Sequence, residues 1–203
     1  MKYSKKIVLF NLTVALILMM ILSHNVLADK LPQERLLPLL IDDADLLINE
    51  EEHILNNRLD SISENYYTDV VIVTNYSLDG KTATEYADDF FDYNGYGFHS
   101  TRDGILFLLS MEYSDWAFST HGSGIQTFTD AGQAFIMDQF LEDLGNENYS
   151  KAFNYFIDLC EAFLEQASKG EPYDRHNLHY FSLNNISDNK DEKIIENTTK
   201  DTL

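Results

Sequence analysis

Two apolar runs constrain this chain more than anything else in it. Residues 70–74 read VVIVT and residues 105–109 read ILFLL. Each is short and unbroken, and turn residues bound them: Asp79-Gly80 beyond the first, Asp103-Gly104 ahead of the second. A continuous β-branched or aliphatic run of this length is the pattern of a strand covered on both faces. Between the two, Ala83, Ala87, Phe90 and Phe91 recur at helical spacing. Strand, helix and strand in that order make a βαβ unit, which demands a parallel pair with packed layers on either side.

The flanking segments extend this unit. Asn49 is placed to cap a helix whose first turn is Glu50, Glu51 and Glu52, with Glu52 at the capping-box position. Leu55, Leu59, Ile62 and Tyr66 then share one helical face. After the second strand, Tyr113-Ser114-Asp115 turns the chain, so residues 116–120 read as a third strand, antiparallel to its neighbour. Met137, Phe140, Leu141 and Leu144 line a further helix capped by Thr129 or Asp130. Tyr149, Ala152, Phe153, Phe156, Cys160, Phe163 and Ala167 line the last.

The expected fold is therefore α/β: a three-layer α/β/α sandwich with a mixed sheet, built on a βαβ unit plus an antiparallel hairpin strand. A chain of 203 residues with 44% hydrophobic content and 13% aromatic supplies one such core. The domain is expected over residues 41–169, after a linker over 29–40 that contains Pro32 and Pro38. Beyond Gly170 the apolar period disappears and Ser, Asn, Asp and Lys dominate, so residues 170–203 read as a polar, disordered tail. Cys160 stands alone, which forbids an intrachain disulfide and leaves stability to the core.

The N-terminus reads as a targeting segment. Lys2, Lys5 and Lys6 precede an apolar stretch over residues 7–22, and Val26-Leu27-Ala28 offers small residues where a signal peptidase cuts. The apolar stretch is shorter than the roughly 20 residues a membrane span needs. Residues 1–28 are thus expected to be a signal peptide, and the mature chain an exported, extracytoplasmic protein without a transmembrane helix. Removing three lysines and no acid leaves it more acidic than the formal −20 of the whole chain. Nucleic acid is excluded as a partner, because phosphate contacts need clustered Lys and Arg.

Strand directions decide which carboxylates can meet. The starts of two parallel strands share one sheet edge, and an antiparallel hairpin partner ends where its neighbour begins. Asp103 therefore lies beside His121 and Gly122. Asp92, at the end of the second helix, runs into the same edge, and Asp130 returns to it about ten residues later in the chain. Asp92, Asp103 and Asp130 are the candidate ligands of calcium or another divalent cation, since hard cations take oxygen donors. Asp42, Asp43 and Asp79 gather at the opposite edge, and ligands of open α/β sheets favour the carboxyl ends of strands. Either edge is a possible site by this reading.

The order of blocks along the chain resembles the TPM domain family. The blocks are Asp43-Ala44-Asp45-Leu46-Leu47 before the Glu-rich helix, the VVIVT strand, Ser77-Leu78-Asp79-Gly80, Tyr86-Ala87-Asp88-Asp89-Phe90-Phe91, Asp103-Gly104-Ile105-Leu106, and Thr120-His121-Gly122 running on to Phe128-Thr129-Asp130-Ala131-Gly132. That family is represented by a thylakoid-lumen protein implicated in photosystem II repair and by exported bacterial proteins. The resemblance implies an α/β/α sandwich with an acidic surface site for calcium or a similar ion, and a weak acid phosphatase activity attributed to the plant relative. Many members carry Asp where this chain has Arg102, with Asp103 following one place later.

Conventional catalytic motifs are missing from the residues. Asp43-Ala44-Asp45 follows an apolar run, but Leu47 stands where a haloacid-dehalogenase-like phosphatase needs Thr or Val, and where an EF-hand needs Asp or Asn. His121-Gly-Ser-Gly lacks nucleophile-elbow spacing. His99 and His121 lack a zinc-ligand partner at fixed spacing. The reading is an exported, monomeric TPM-like domain that binds a divalent cation weakly and serves envelope or membrane-associated proteins as an accessory or scaffold factor. The alternative is a metal-assisted acid phosphatase of low activity.

Overall fold

The structure, a computed structural model, describes Phe10, residues 31–178 and Phe181. Phe10 apart, the expected signal peptide lies outside the described residues, as does most of the tail. The unit from Pro32 onward carries the sheet and its helices. Along the chain run β1 (Leu40–Asp42), α1 (Asn49–Tyr66), β2 (Asp69–Asn75), α2 (Ala83–Tyr93), β3 (Gly104–Ser110), β4 (Asp115–His121), α3 (Gly124–Thr127), α4 (Asp130–Gly145) and α5 (Tyr149–Ser168).

The four strands form one sheet in the order β1-β2-β3-β4. β2 and β3 are parallel, with Val70 opposite Ile105 and Thr74 opposite Leu109, and every residue of both strands is buried. β4 pairs antiparallel with β3. The βαβ unit and the hairpin strand therefore stand as the sequence predicts. β1 adds a parallel strand beside β2 that residue pattern alone did not show, because three residues are too few to carry a period.

Alternation along the strands sorts the layers. Phe107 of β3 and Phe118 of β4 face α4 and α5, meeting Phe140, Phe153 and Phe156. Ser119 and His121 of β4 face α2, where His121 stacks on Phe91. Helices α1, α4 and α5 thus cover one face and α2 the other, giving the three-layer sandwich. Cys160 is fully buried in α5, and burial pushes its thiol pKa well up, as suits a core residue.

One local expectation is corrected, and two segments outside the expected domain make contacts with it. The N-cap of α1 is Ile48 rather than Asn49, and it is Glu51 that reaches back to accept from the Ile48 N–H, at 3.2 Å. The helix starts one residue earlier because Leu47 must enter the core, which sets the phase of the first turn. The segment expected to be a linker is held in place. The Leu36 N–H donates to Asn94 O at 2.9 Å, and the Tyr96 hydroxyl to Pro38 O at 2.6 Å. The tail, finally, begins by docking. Tyr173 and Phe181 bring their rings 5.0 and 5.9 Å from Phe163, and Phe181 also meets Phe135 at 5.0 Å. A few widely spaced aromatics carry no period, so sequence composition hid them. Among the described residues, no helix is long and apolar enough to cross a membrane.

Candidate functional site

The register puts Asp69, Gly104 and His121 at one level across β2, β3 and β4. Asp103 stands just before Gly104, and α2 ends nearby. Asp92 and Asp103 therefore share the amino edge, as strand directions require. Asp130 is exposed in the first turn of α4, which Thr129 caps by accepting from the Gly132 N–H at 3.2 Å, and no bond joins it to the other two.

Protein donors occupy this edge already. Asp103 accepts from the Ser123 N–H at 2.6 Å through one oxygen and from the Thr101 hydroxyl at 2.9 Å through the other. It thereby anchors the turn from β4 into α3, where Gly122 adopts a left-handed φ of 55° with Asp103 packed against it. Asp92 lies 3.5 Å from the Arg102 guanidinium. That guanidinium also donates to the carbonyls of Phe91 and Asp92 at 3.1 and 3.2 Å, capping the C-terminus of α2, and to Pro32 O at 3.3 Å. Arg35 bridges Asp60 and Asp69 at 3.4 and 3.5 Å. Asp69 is 3% exposed, and burial raises its carboxyl pKa against the opposing pull of the Gly97 N–H and Arg35.

A second constellation was missed by sequence reasoning. The Ser119 hydroxyl donates to Asp88 at 2.6 Å and lies 2.9 Å from His121 Nε2, while His121 Nδ1 lies 4.0 Å from Asp92. The order Ser, His, Asp suggests a nucleophile and its base. The chemistry does not follow, because the hydroxyl gives its one proton to Asp88 and Ser119 is 2% exposed. With that proton committed, Nε2 donates to the Ser119 oxygen. The signal lay in two superposed periods, i to i+2 on a strand and i to i+4 on a helix, which only packing brings together.

Burial lowers the pKa of His121 below its usual 6.5, with Asp92 and Asp88 opposing. The unfolded chain therefore takes up this proton first. Stability from the neutral imidazole is intact above pH 6.5 and is lost as pH falls from there through the lower folded value. Asp69 acts oppositely, since its raised folded pKa favours the fold at low pH and that gain fades as pH rises. The difference between wild type and His121→Phe, which keeps a ring on Phe91, isolates the histidine. Thermal midpoints at several pH values should fall more steeply for wild type below pH 6.5, by no more than about 1.4 kcal/mol per pH unit for one proton. Parallel curves would show that His121 is not the titrating group.

The opposite edge differs in its charge pairing. Asp42 accepts from the Thr74 hydroxyl and from the Leu47 N–H. Asp43, Asp45 and Asp79 are exposed, and no basic side chain pairs with them among the described residues. Asp45 and Asp79 hold left-handed φ values of 55° and 53°. The side-chain oxygen of Asn75, at the end of β2, is buried without a partner. Past Asp45, a cleft of about 580 Å³ opens between Leu46, Glu51 and the residues Glu147 to Lys151 that lead into and begin α5. Among the described residues, no three His, Cys, Asp or Glu side chains are already grouped to hold a metal.

Comparison with known proteins adds to this geometry. The TPM domain model matches residues 40–163. No curated protein matches the chain. Among solved structures, the N-terminal domain of a protein from P. gingivalis superposes with a TM-score of 0.57 at 20% identity, covering 74% of this chain and 92% of that one. The BA42 protein of Bizionia argentinensis gives 0.52 at 14% identity, over 64% and 87%. The N-terminal domain of cg2496 from Corynebacterium glutamicum gives 0.50 at 13%, over 64% and 82%. At such identities the structures speak for the fold alone. The family match spans more than half of the chain, from β1 through most of α5, and the chain belongs to the TPM domain family.

Proposed function

We propose that this TPM domain is an exported accessory or scaffold factor for envelope proteins, and that it takes a divalent cation weakly. The observation that carries the cation is the set of exposed, unneutralised carboxylates Asp43, Asp45 and Asp79 at the carboxyl edge of the sheet. At the amino edge, by contrast, Asp92 has Arg102 and both oxygens of Asp103 have donors. Exposed carboxylates without a basic partner are the oxygen donors a hard cation takes. Export is supported by Lys2, Lys5 and Lys6 ahead of the apolar stretch that ends at Val26-Leu27-Ala28.

Calcium titration tests the reading. With Kd on the order of 10⁻⁴ to 10⁻³ M, as in extracellular calcium modules, a tenfold excess adds about 1.4 kcal/mol. The thermal midpoint should then rise by about 3–6 °C. Asp43→Asn combined with Asp79→Asn should abolish that rise, whereas Asp103→Asn should leave it. A rise lost only in Asp103→Asn would move the ion to the amino edge with Asp92 and Asp130. A rise matched by sodium chloride at equal ionic strength would remove the cation from the reading.

The family model's phosphatase label supports a second reading, in which the same ion positions a phosphate and activates water. Hydrolysis of a generic phosphate ester that disappears with chelator and in the Asp43 and Asp79 double variant would favour it.

A further inference from the structure

β4 is an edge strand with few of the usual defences, one being Asp115, which accepts from the Trp116 N–H at 2.9 Å. Natural sheets blunt their edges with lysine, proline, bulges or very short strands. The other edge strand, β1, has three residues. β4 has seven, DWAFSTH, with neither Lys nor Pro, and its register against β3 runs one to one from Asp115 to His121 with no bulge. Among the described residues, no strand pairs with its outer side.

The two faces flanking that edge differ in chemistry. On the α4 and α5 side stand Trp116, 40% exposed, and half-buried Phe118, their rings 5.7 Å apart. On the α2 side Asp88 is exposed beside Ser119, one helical turn from Asp92 beside His121. Asp115 and Glu112 are exposed at the hairpin end. The nearby cations are taken, Lys81 by Asp89 and Arg102 by Asp92, so Asp88, Asp115 and Glu112 keep their charge unpaired among the described residues.

We infer that β4 is a docking edge for an extended segment of a partner protein in which Lys or Arg alternates with apolar residues. Such a segment adds a fifth strand through backbone hydrogen bonds. Because successive side chains point to opposite faces, its basic residues fall beside Asp88 and its apolar residues over Trp116 and Phe118. The carboxylates supply the charge complementarity that selects this occupant over a neutral or acidic strand. The inference does not depend on a bound cation.

The chain's one tryptophan is Trp116, so intrinsic fluorescence reports the edge directly. The full chain, in chelator, is titrated with a nine-residue capped peptide alternating Lys and Val. A saturable fluorescence change is expected, with amide shifts by nuclear magnetic resonance confined to β4 and the adjoining face of α2. Raising salt should weaken binding, since the Debye length shrinks from about 10 Å at 0.1 M to 3 Å at 1 M. Asp88→Asn, which keeps an acceptor for Ser119, should weaken it about two- to fivefold at an unchanged thermal midpoint. A Glu-Val peptide and a peptide N-methylated at alternate backbone nitrogens should both fail. Equal binding by either control, or no saturation at millimolar peptide, would overturn the inference. So would outer amides of β4 already protected from exchange in the free chain, because its own terminal segment or a second copy would then hold the edge.

Discussion

Replacing Phe107 with alanine is expected to destabilise the fold by about 3–5 kcal/mol, the range for truncating a fully buried aromatic. Phe107 is wholly buried at the centre of β3. Its ring meets four others, Phe118 and Phe140 at 5.3 Å, Phe156 at 5.5 Å and Phe153 at 6.4 Å, so it joins the sheet to α4 and α5 at once. Helices and sheet cannot close over the space together, because each is held by its own hydrogen bonds. The thermal midpoint should fall by about 6–20 °C, at roughly 2–4 °C per kcal/mol for a chain of this size. Phe118→Ala, at a half-buried ring on the same face, should cost clearly less. Circular dichroism melts of the two variants decide the matter, and equal losses would mean that Phe107 is not the centre of the core.

The second large effect is expected at Gly124. An added Cβ there would fall inside contact distance of the Gly104 carbonyl oxygen and 3.0 Å from its carbon. Gly104 has no room to retreat, because a Cβ on it would meet Phe91 at 2.7 Å and the Asp69 carbonyl at 3.0 Å. The start of α3 thus lies backbone to backbone on the start of β3, at the turn that Asp103 anchors. Gly124→Ala should cost about 1–3 kcal/mol or more through forced displacement of the strand. Gly145 makes the control, since a Cβ at the end of α4 meets nothing within 4 Å. Alanine there should be neutral or stabilising by up to about 1 kcal/mol. Comparable losses at the two positions would refute the close-approach argument.

Four chemical denaturation or melting curves, for wild type, these two variants and their double variant, also test whether the two sites are independent. Phe107 lies at the middle of β3 and Gly124 against its start, without a shared partner in the ring contacts or close approaches described above. Their effects should therefore add to within about 0.5 kcal/mol in the double variant.

What the sequence determined by itself is what local spacing can carry. VVIVT and ILFLL specify buried strands, the recurrences from Ala83 to Phe91 and from Tyr149 to Ala167 specify helices, and their order specifies a βαβ unit closed by a hairpin. It also brought Asp92 and Asp103 to one edge, because strand direction alone decides which ends are neighbours. The state of those carboxylates was a matter for tertiary structure. Arg35 reaches Asp69 and Asp60 only once the segment from Pro32 to Pro38 is laid along the amino edge, and Arg102 pairs with Asp92 across the end of α2. One of the two donors to Asp103 comes from Ser123, 20 residues on. Tyr173 and Phe181 find Phe163 across a stretch with no apolar period, and Ser119 finds Asp88 across a helix–strand contact. Periodicity is a property of neighbours in the chain and is written in it. Whether a charge is paired, capped or free depends on groups tens of residues away, whose approach is set by the packing of the whole core.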